Sequence, residues 1–158
     1  MQNTPRASRR QAFRRHPLAH TVSLLIAGLL PLHSAVVQAD THTVITGQTI
    51  TSSTESVPTL SVSAGNSLDI SNSQVSSTGK NAAALNVVNG TVTGTDLTLQ
   101  TDGLNAQAVQ ASEGSHLTLT HTDITTNGDG AVGAQATNSG TVIRLDGGTI
   151  TSNGDTSY

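Results

Sequence analysis

Five apolar residues, Ile50, Val75, Leu99, Ile124 and Ile150, recur along the chain at spacings of 25, 24, 25 and 26. A second column, Ile45, Ile70, Thr95, Leu119 and Leu145, keeps nearly the same step, as does a glycine column of Gly65, Gly90, Gly114 and Gly140. A unit this short cannot bury an apolar face alone. Its repetition therefore predicts a solenoid, in which each repeat covers the next.

Within each repeat the local pattern is that of strands. Leu68-Asp69-Ile70, Leu117-Thr118-Leu119, Leu60-Ser61-Val62 and Leu85-Asn86-Val87 each put two apolar side chains on one face with a polar one between, the alternation of a half-buried strand. The first strand follows the glycine column, as in Gly114-Ser-His-Leu-Thr-Leu119. The second carries the opening column, as in Asp123-Ile124-Thr125, and ends at a turn glycine: Gly79, Gly103, Gly128 or Gly154. The third is small and apolar, as in Ala82-Ala-Ala-Leu-Asn-Val87 and Ala131-Val-Gly-Ala-Gln-Ala136, although Gln107 falls where the middle repeat calls for an apolar residue. Three short strands per turn predict an all-β fold, a right-handed three-stranded parallel β-helix of about 25 residues per coil and four to five coils. At about 4.8 Å per coil it makes a short rod. Leucine-rich repeats, the nearest competing solenoid, lack this Thr/Ser/Asn richness and need a helical arc.

Charge divides the chain in two. Five of the seven basic residues, Arg6, Arg9, Arg10, Arg14 and Arg15, lie at the start, and all ten acidic residues lie at or beyond Asp40. An apolar run around Val22 to Leu32 follows the arginines, and Val37 and Ala39 stand at the −3 and −1 positions of a cleavage site before Asp40. Basic start, short apolar stretch and small residues make residues 1–39 a secretory signal peptide cut between Ala39 and Asp40. The run falls short of the roughly 20 apolar residues of a membrane span, so no stable span is expected after cleavage. Export machinery of the Sec type is the partner this segment implies. The remainder, residues 40–158, holds Lys80 and Arg144 against ten carboxylates, a formal charge of −8 with His neutral, which disfavours nucleic acid and anionic lipid.

Cysteine is absent and the aromatics are Phe13 and Tyr158. The exported chain therefore has neither disulfides nor aromatic anchors to hold it, and repeated backbone ladders are the substitute. The sequence stops at Asn153-Gly-Asp-Thr-Ser-Tyr158, after a turn glycine and before a third strand, so residues 40–158 read as a partial β-helix.

The array Gly-(Ser/Thr)-x-φ-x-φ, then (Asp/Gly)-(Thr)-φ-Thr-x-x-Gly with the first Thr optional, then an Ala/Val strand resembles the passenger domains of pertactin-like autotransporters. It is carried by Gly114-Ser-His-Leu-Thr-Leu119, Asp123-Ile-Thr-Thr-Asn-Gly128 and Gly140-Thr-Val-Ile-Arg-Leu145, within a likeness that spans residues 42–158. The resemblance implies a parallel β-helix shown on the outer surface of a Gram-negative bacterium as an adhesin or virulence factor. Its partners would be host-cell or bacterial surface receptors or glycans. A complete member carries a C-terminal outer-membrane barrel with aromatic girdles, which nothing in this sequence can form. The expected product is thus the N-terminal section of such a passenger, at the cell surface or extracellular within a full autotransporter and periplasmic otherwise. The alternatives are the scaffold of an enzyme-bearing passenger, a protease or esterase whose catalytic part lies elsewhere, and a non-functional truncated product.

Signatures of chemistry are few. No Gly-Asp-Ser or Gly-x-Ser-x-Gly nucleophile turn occurs, and the chain is expected not to be an enzyme. His116 and His121 could join a metal site, but zinc wants three or four convergent ligands; with His116 alternating against Leu117, exposed histidines are the reading, with His42 far away in sequence. Asn127-Gly-Asp-Gly130 and Asn153-Gly-Asp155 are explained as turns rather than calcium loops, since the nine-residue calcium repeat is missing. Lys80 and Arg144, coils apart, do not make a lyase centre. No cofactor or metal is expected, and the only processing residues named are Ala39 and Asp40.

Overall fold

The computed structural model describes residues 35–37, 42–63 and 65–157. The proposed cleavage residues Ala39 and Asp40 lie outside them. Fifteen strands and no helix are found among the described residues, arranged as a parallel β-solenoid of about four turns with three sheets of five strands each. The first sheet holds β2 (His42–Thr46), β5 (Ser67–Ser71), β8 (Thr91–Thr95), β11 (His116–Thr120) and β14 (Val142–Asp146). The second holds β3 (Thr49–Ser52), β6 (Gln74–Ser77), β9 (Thr98–Thr101), β12 (Asp123–Thr126) and β15 (Ile150–Ser152). The third holds β1 (Ala35–Val37), β4 (Leu60–Ser63), β7 (Leu85–Val88), β10 (Gln107–Ser112) and β13 (Val132–Ala136). β1 falls inside the segment read as the leader, and its backbone pairs with β4, Ala35 opposite Leu60 and Val37 opposite Val62.

Parallel pairing sets each residue on its counterpart one coil away. Ile50, Val75, Leu99, Ile124 and Ile150 stack in register as expected, and the first four are at most 1% exposed. In the last coil the inward columns are uncovered, and Leu145 and Ile150 are exposed. Two expected columns are corrected by one residue. Ile70 and Leu119 pair with Gly94, not Thr95, which stands outward between Ser71 and Thr120. A Cβ on Gly94 would lie 2.7 Å from both Leu119 Cδ2 and Leu97 Cδ1, so the Leu97 side chain, entering from the neighbouring bend, fills the space the column residue leaves. Likewise Gly65, Gly114 and Gly140 share a left-handed corner, but the third coil puts Asn89 there (φ 50°) and moves Gly90 one place on, against Val62.

Both shifts have one cause. Among the described residues, coil length changes only in the span from the third sheet to the first. Val62 pairs with Val87 after 25 residues, but Ser67 pairs with Thr91 after 24, and His116 pairs with Val142 after 26. The other two corners keep their length. Left-handed residues turn the chain at the three corners: Gly47, Asn72, Asp96, His121 and the pair Gly147-Gly148 at the first, Ser56, Asn81, Asn105, Gly130 and Thr156 at the second, and Gly65, Asn89, the pair Glu113-Gly114, and Asn138 with Gly140 at the third. Asn, Asp and Gly are the residues that tolerate this conformation.

The expected turn glycines have a different task. Gly79, Gly103 and Gly128 are buried, and a Cβ on Gly103 would meet the carbonyl oxygen of Gly79 at 2.0 Å, as one on Gly128 would meet that of Gly103. Here glycine lets one coil's backbone settle onto the last; its φ is not left-handed. In the middle repeat the third strand is apolar inward despite Gln107: Ala108, Val109 and Ala111 are buried, while Gln107 is half-exposed and its side-chain amide donates to the Asn105 carbonyl at 3.1 Å.

Next to the apolar core runs an interior column of hydroxyls, Ser52, Ser77, Thr101, Thr126 and Ser152. Thr126 and Ser152 bond each other at 3.0 Å, but Ser77 Oγ and Thr101 Oγ1 are buried without a partner. A coil pitch near 4.8 Å is too wide for one hydroxyl to reach the next unless both lean.

Two outcomes test these assignments. Gly103→Ala should destabilise the solenoid by about 3 kcal/mol through overpacking of backbone on backbone, whereas Gly114→Ala, with open space around its Cβ, should cost about 1 kcal/mol of left-handed strain. Thr101→Val should raise stability by about 1 kcal/mol, because it removes a buried hydroxyl that has no partner while keeping its shape. Thermal and denaturant unfolding followed by circular dichroism measure both.

Candidate functional site

The outer faces carry the polar side chains, and stacking brings together residues 25 apart that the sequence shows as strangers. The clearest cluster is at the first coil. His42 opens β2 opposite Ser67 on β5, and Asp69 lies two residues further along the same face. His42 Nδ1 is 2.8 Å from Ser67 Oγ, and its Nε2 is 3.2 Å from Asp69 Oδ2. A carboxylate only accepts, so Nε2 carries the proton and donates to Asp69. In the neutral ring Nδ1 then accepts from the Ser67 hydroxyl. The imidazole and the carboxylate are open to solvent, 40% and 50% exposed.

The other two histidines among the described residues do not converge on this cluster. His116 shares the column of His42 but stands three coils away and exposed. His121 sits at a left-handed corner (φ 47°), with Nδ1 3.6 Å from Asp96 Oδ1. Among the described residues no three of His, Asp and Glu are grouped as a metal site.

The Asn-Gly-Asp strings behave as corners tied rung to rung. Asn127 donates to Asp102 at 2.6 Å, Asn153 donates to Asn127 at 2.8 Å, and the Asp155 amide donates to Asp129 Oδ1 at 3.0 Å. These bonds join successive coils. Arg144 meets Asp146 on its own strand at 3.5 Å, and Lys80 is exposed at a corner.

Other outward columns read Ser61, Asn86, Gln110 and Gln135 on the third sheet, and Thr51, Ser76, Gln100, Thr125 and Thr151 on the second. They present amides and hydroxyls as evenly spaced ladders. An open polar groove runs along the first corner past Gln48, Ser73, Asn72 and Asp96.

Sequence reading placed His116 and His121 on the surface, and there they are. It missed the meeting of His42, Ser67 and Asp69, though the separation of 25 between His42 and Ser67 equals the repeat and was the available signal. Compared with known proteins, the chain matches no family model, no curated protein and no solved structure.

The bonds of this cluster are at the surface, where such pairs contribute at most about 1 kcal/mol. His42→Ala and Ser67→Ala should each leave the unfolding midpoint nearly unchanged, as read by thermal unfolding. A large drop would mean that the cluster holds the first coil together.

Proposed function

We propose that this chain is an exported surface scaffold of the autotransporter-passenger kind, its N-terminal part, and that it acts by adhesion rather than by catalysis. The observation that carries the reading is the pairing of a stacked apolar interior with outer faces made of amide and hydroxyl ladders, Ser61-Asn86-Gln110-Gln135 among them. Side chains on a strand lattice are held at fixed spacing, so little ordering remains to be done when a ligand arrives. Amides both donate and accept, as do hydroxyls. Such a surface suits partners rich in hydroxyl groups, which makes surface glycans the favoured class and protein receptors the second.

Export is supported by the basic start, the short apolar run and the small residues before Asp40. The absence of cysteine from the sequence suits a fold whose cohesion lies in backbone ladders. The negative charge beyond residue 39 suits a ligand that is neutral or basic.

Expression with its own leader in a Gram-negative host should deliver the chain beyond the inner membrane, where protease added to intact or outer-membrane-permeabilised cells cuts it. The recovered chain should bind a subset of an immobilised glycan array. A triple replacement, Asn86→Ala with Gln110→Ala and Gln135→Ala, should reduce that binding at least about tenfold, the loss of more than one net hydrogen bond, with the circular dichroism spectrum unchanged. Retention in the cytoplasm would end the export reading, and undiminished glycan binding by the triple variant would end the assignment of this face.

A further inference from the structure

We propose that the outer face of the first sheet carries an acyl-transfer site for small activated esters, with Ser67 as its nucleophile and His42 as its base. The proposal goes beyond the adhesive reading and depends neither on it nor on export. Its residues come from three neighbouring strands, β2, β5 and β8. Register places His42, Ser67 and Thr91 side by side in one outward row, and Asp69 in the next row of the same face. His42 and Ser67 are 25 residues apart in sequence, and Ser67 and Thr91 are 24 apart. The group therefore forms only when the coils stack.

A serine hydroxyl becomes nucleophilic when a base in hydrogen-bond contact takes its proton and a third group holds that base in place. Ser67 Oγ lies 2.8 Å from His42 Nδ1, and His42 Nε2 lies 3.2 Å from Asp69 Oδ2. Because Asp69 accepts the Nε2 proton, the lone pair of the neutral ring stands on Nδ1, facing Ser67. On the opposite flank of Ser67 stands Thr91, exposed and one rung away, at the parallel pitch of about 4.8 Å. An ester carbonyl lying over Ser67 thus has a base on one side and a hydroxyl donor for its oxygen on the other. His116 provides the internal contrast. It occupies the same row, but between Thr91 and Val142, and Arg144 takes the place that Asp69 has beside His42.

In the reaction Ser67 Oγ bonds to the carbonyl carbon as its proton passes to His42 Nδ1. The imidazolium so formed keeps its Nε2 proton on Asp69, and the oxygen that gains negative charge accepts from the Thr91 hydroxyl. The bond between the carbonyl carbon and the leaving oxygen then breaks. The Nδ1 proton goes to the departing oxygen, leaving acyl-Ser67 and an alcohol or phenol. Water reverses the sequence: His42 takes one of its protons, the hydroxide adds to the acyl carbon, and Ser67 departs with the proton from His42. Ester and water give acid and alcohol, and every residue is restored. Asp69 touches no reacting atom and is a positioning residue. The face is open, with imidazole and carboxylate 40% and 50% exposed, so the site selects by leaving group rather than by shape. Phenolates leave readily, which makes aryl esters of short acids the substrate class.

The test uses the full chain and two probes, p-nitrophenyl acetate and an alkyl fluorophosphonate. The second transfers its phosphonyl group to an activated serine oxygen, and fluoride leaves. The expected result is a fluorophosphonate label that tandem mass spectrometry locates at Ser67, not at Ser61, Ser63, Ser71 or Ser73, with release of p-nitrophenolate beyond one equivalent. Ser67→Ala should remove the label, and His42→Ala should slow labelling and ester hydrolysis about tenfold or more, a modest share of what a base contributes in an enclosed site. Thr91→Ala should slow both about tenfold and Thr91→Ser should restore them, because the hydroxyl is the group that acts. Asp69→Asn should slow both, and Asp69→Glu, which keeps the carboxylate, should recover them. His116→Ala and His121→Ala should change neither, and circular dichroism checks that each variant is folded. No label at Ser67, or undiminished labelling in His42→Ala, overturns the proposal. So does hydrolysis unchanged in Ser67→Ala, which would mean that exposed imidazoles alone carry it. These outcomes leave the adhesive reading standing, since that reading is tested on the third sheet.

Discussion

Backbone hydrogen bonding between successive coils is the constraint on which everything else rests. Parallel ladders fix the pitch near 4.8 Å, and at that pitch each residue must tolerate its counterpart directly above and below. Apolar residues meet apolar ones inside, as in Leu60 on Leu85 and Val62 on Val87. Hydroxyls and amides meet their own kind outside. Gly79, Gly103 and Gly128 follow from the same rule, since at their corner the two backbones come too close for any Cβ. With neither disulfides nor aromatic anchors, the chain derives its cohesion from repetition of one modest contact.

Stacking also explains why the interior tolerates a hydroxyl column. Ser77 and Thr101 sit beside the second-sheet core, and although the next rung of the column, Thr126 to Ser152, does form a bond, their own hydroxyls are buried without a partner. Burial of an unpartnered hydroxyl is unfavourable.

Most of the fold was legible because the Ile50 column and the local alternation agree on period and strand identity. The errors came where a fixed step was carried through a corner of changing length. Thr95 and Gly90 were assigned one residue off because the third coil is shorter by one, and a β-branched threonine looks more like a column residue than Gly94 does. Only the three-dimensional compensation by Leu97 makes glycine acceptable there, and nothing local in the sequence signals it. The His42 cluster was hidden differently. Its members are polar, and polar residues on the outer face follow no pattern until they are laid on the repeat.

The variable corner between the third and first sheets separates two kinds of change. At the other corners a gained or lost residue would rotate every following side chain from inside to outside. At this seam the chain absorbs such changes, since coils of 24, 25 and 26 residues stack in one rod. Outside the core columns, moreover, Ser, Thr, Asn and Gln serve almost equally well. Lineages built this way can keep their architecture while their sequences drift out of alignment with one another, because the two signals that alignment needs, constant length and residue identity, are those the fold leaves free.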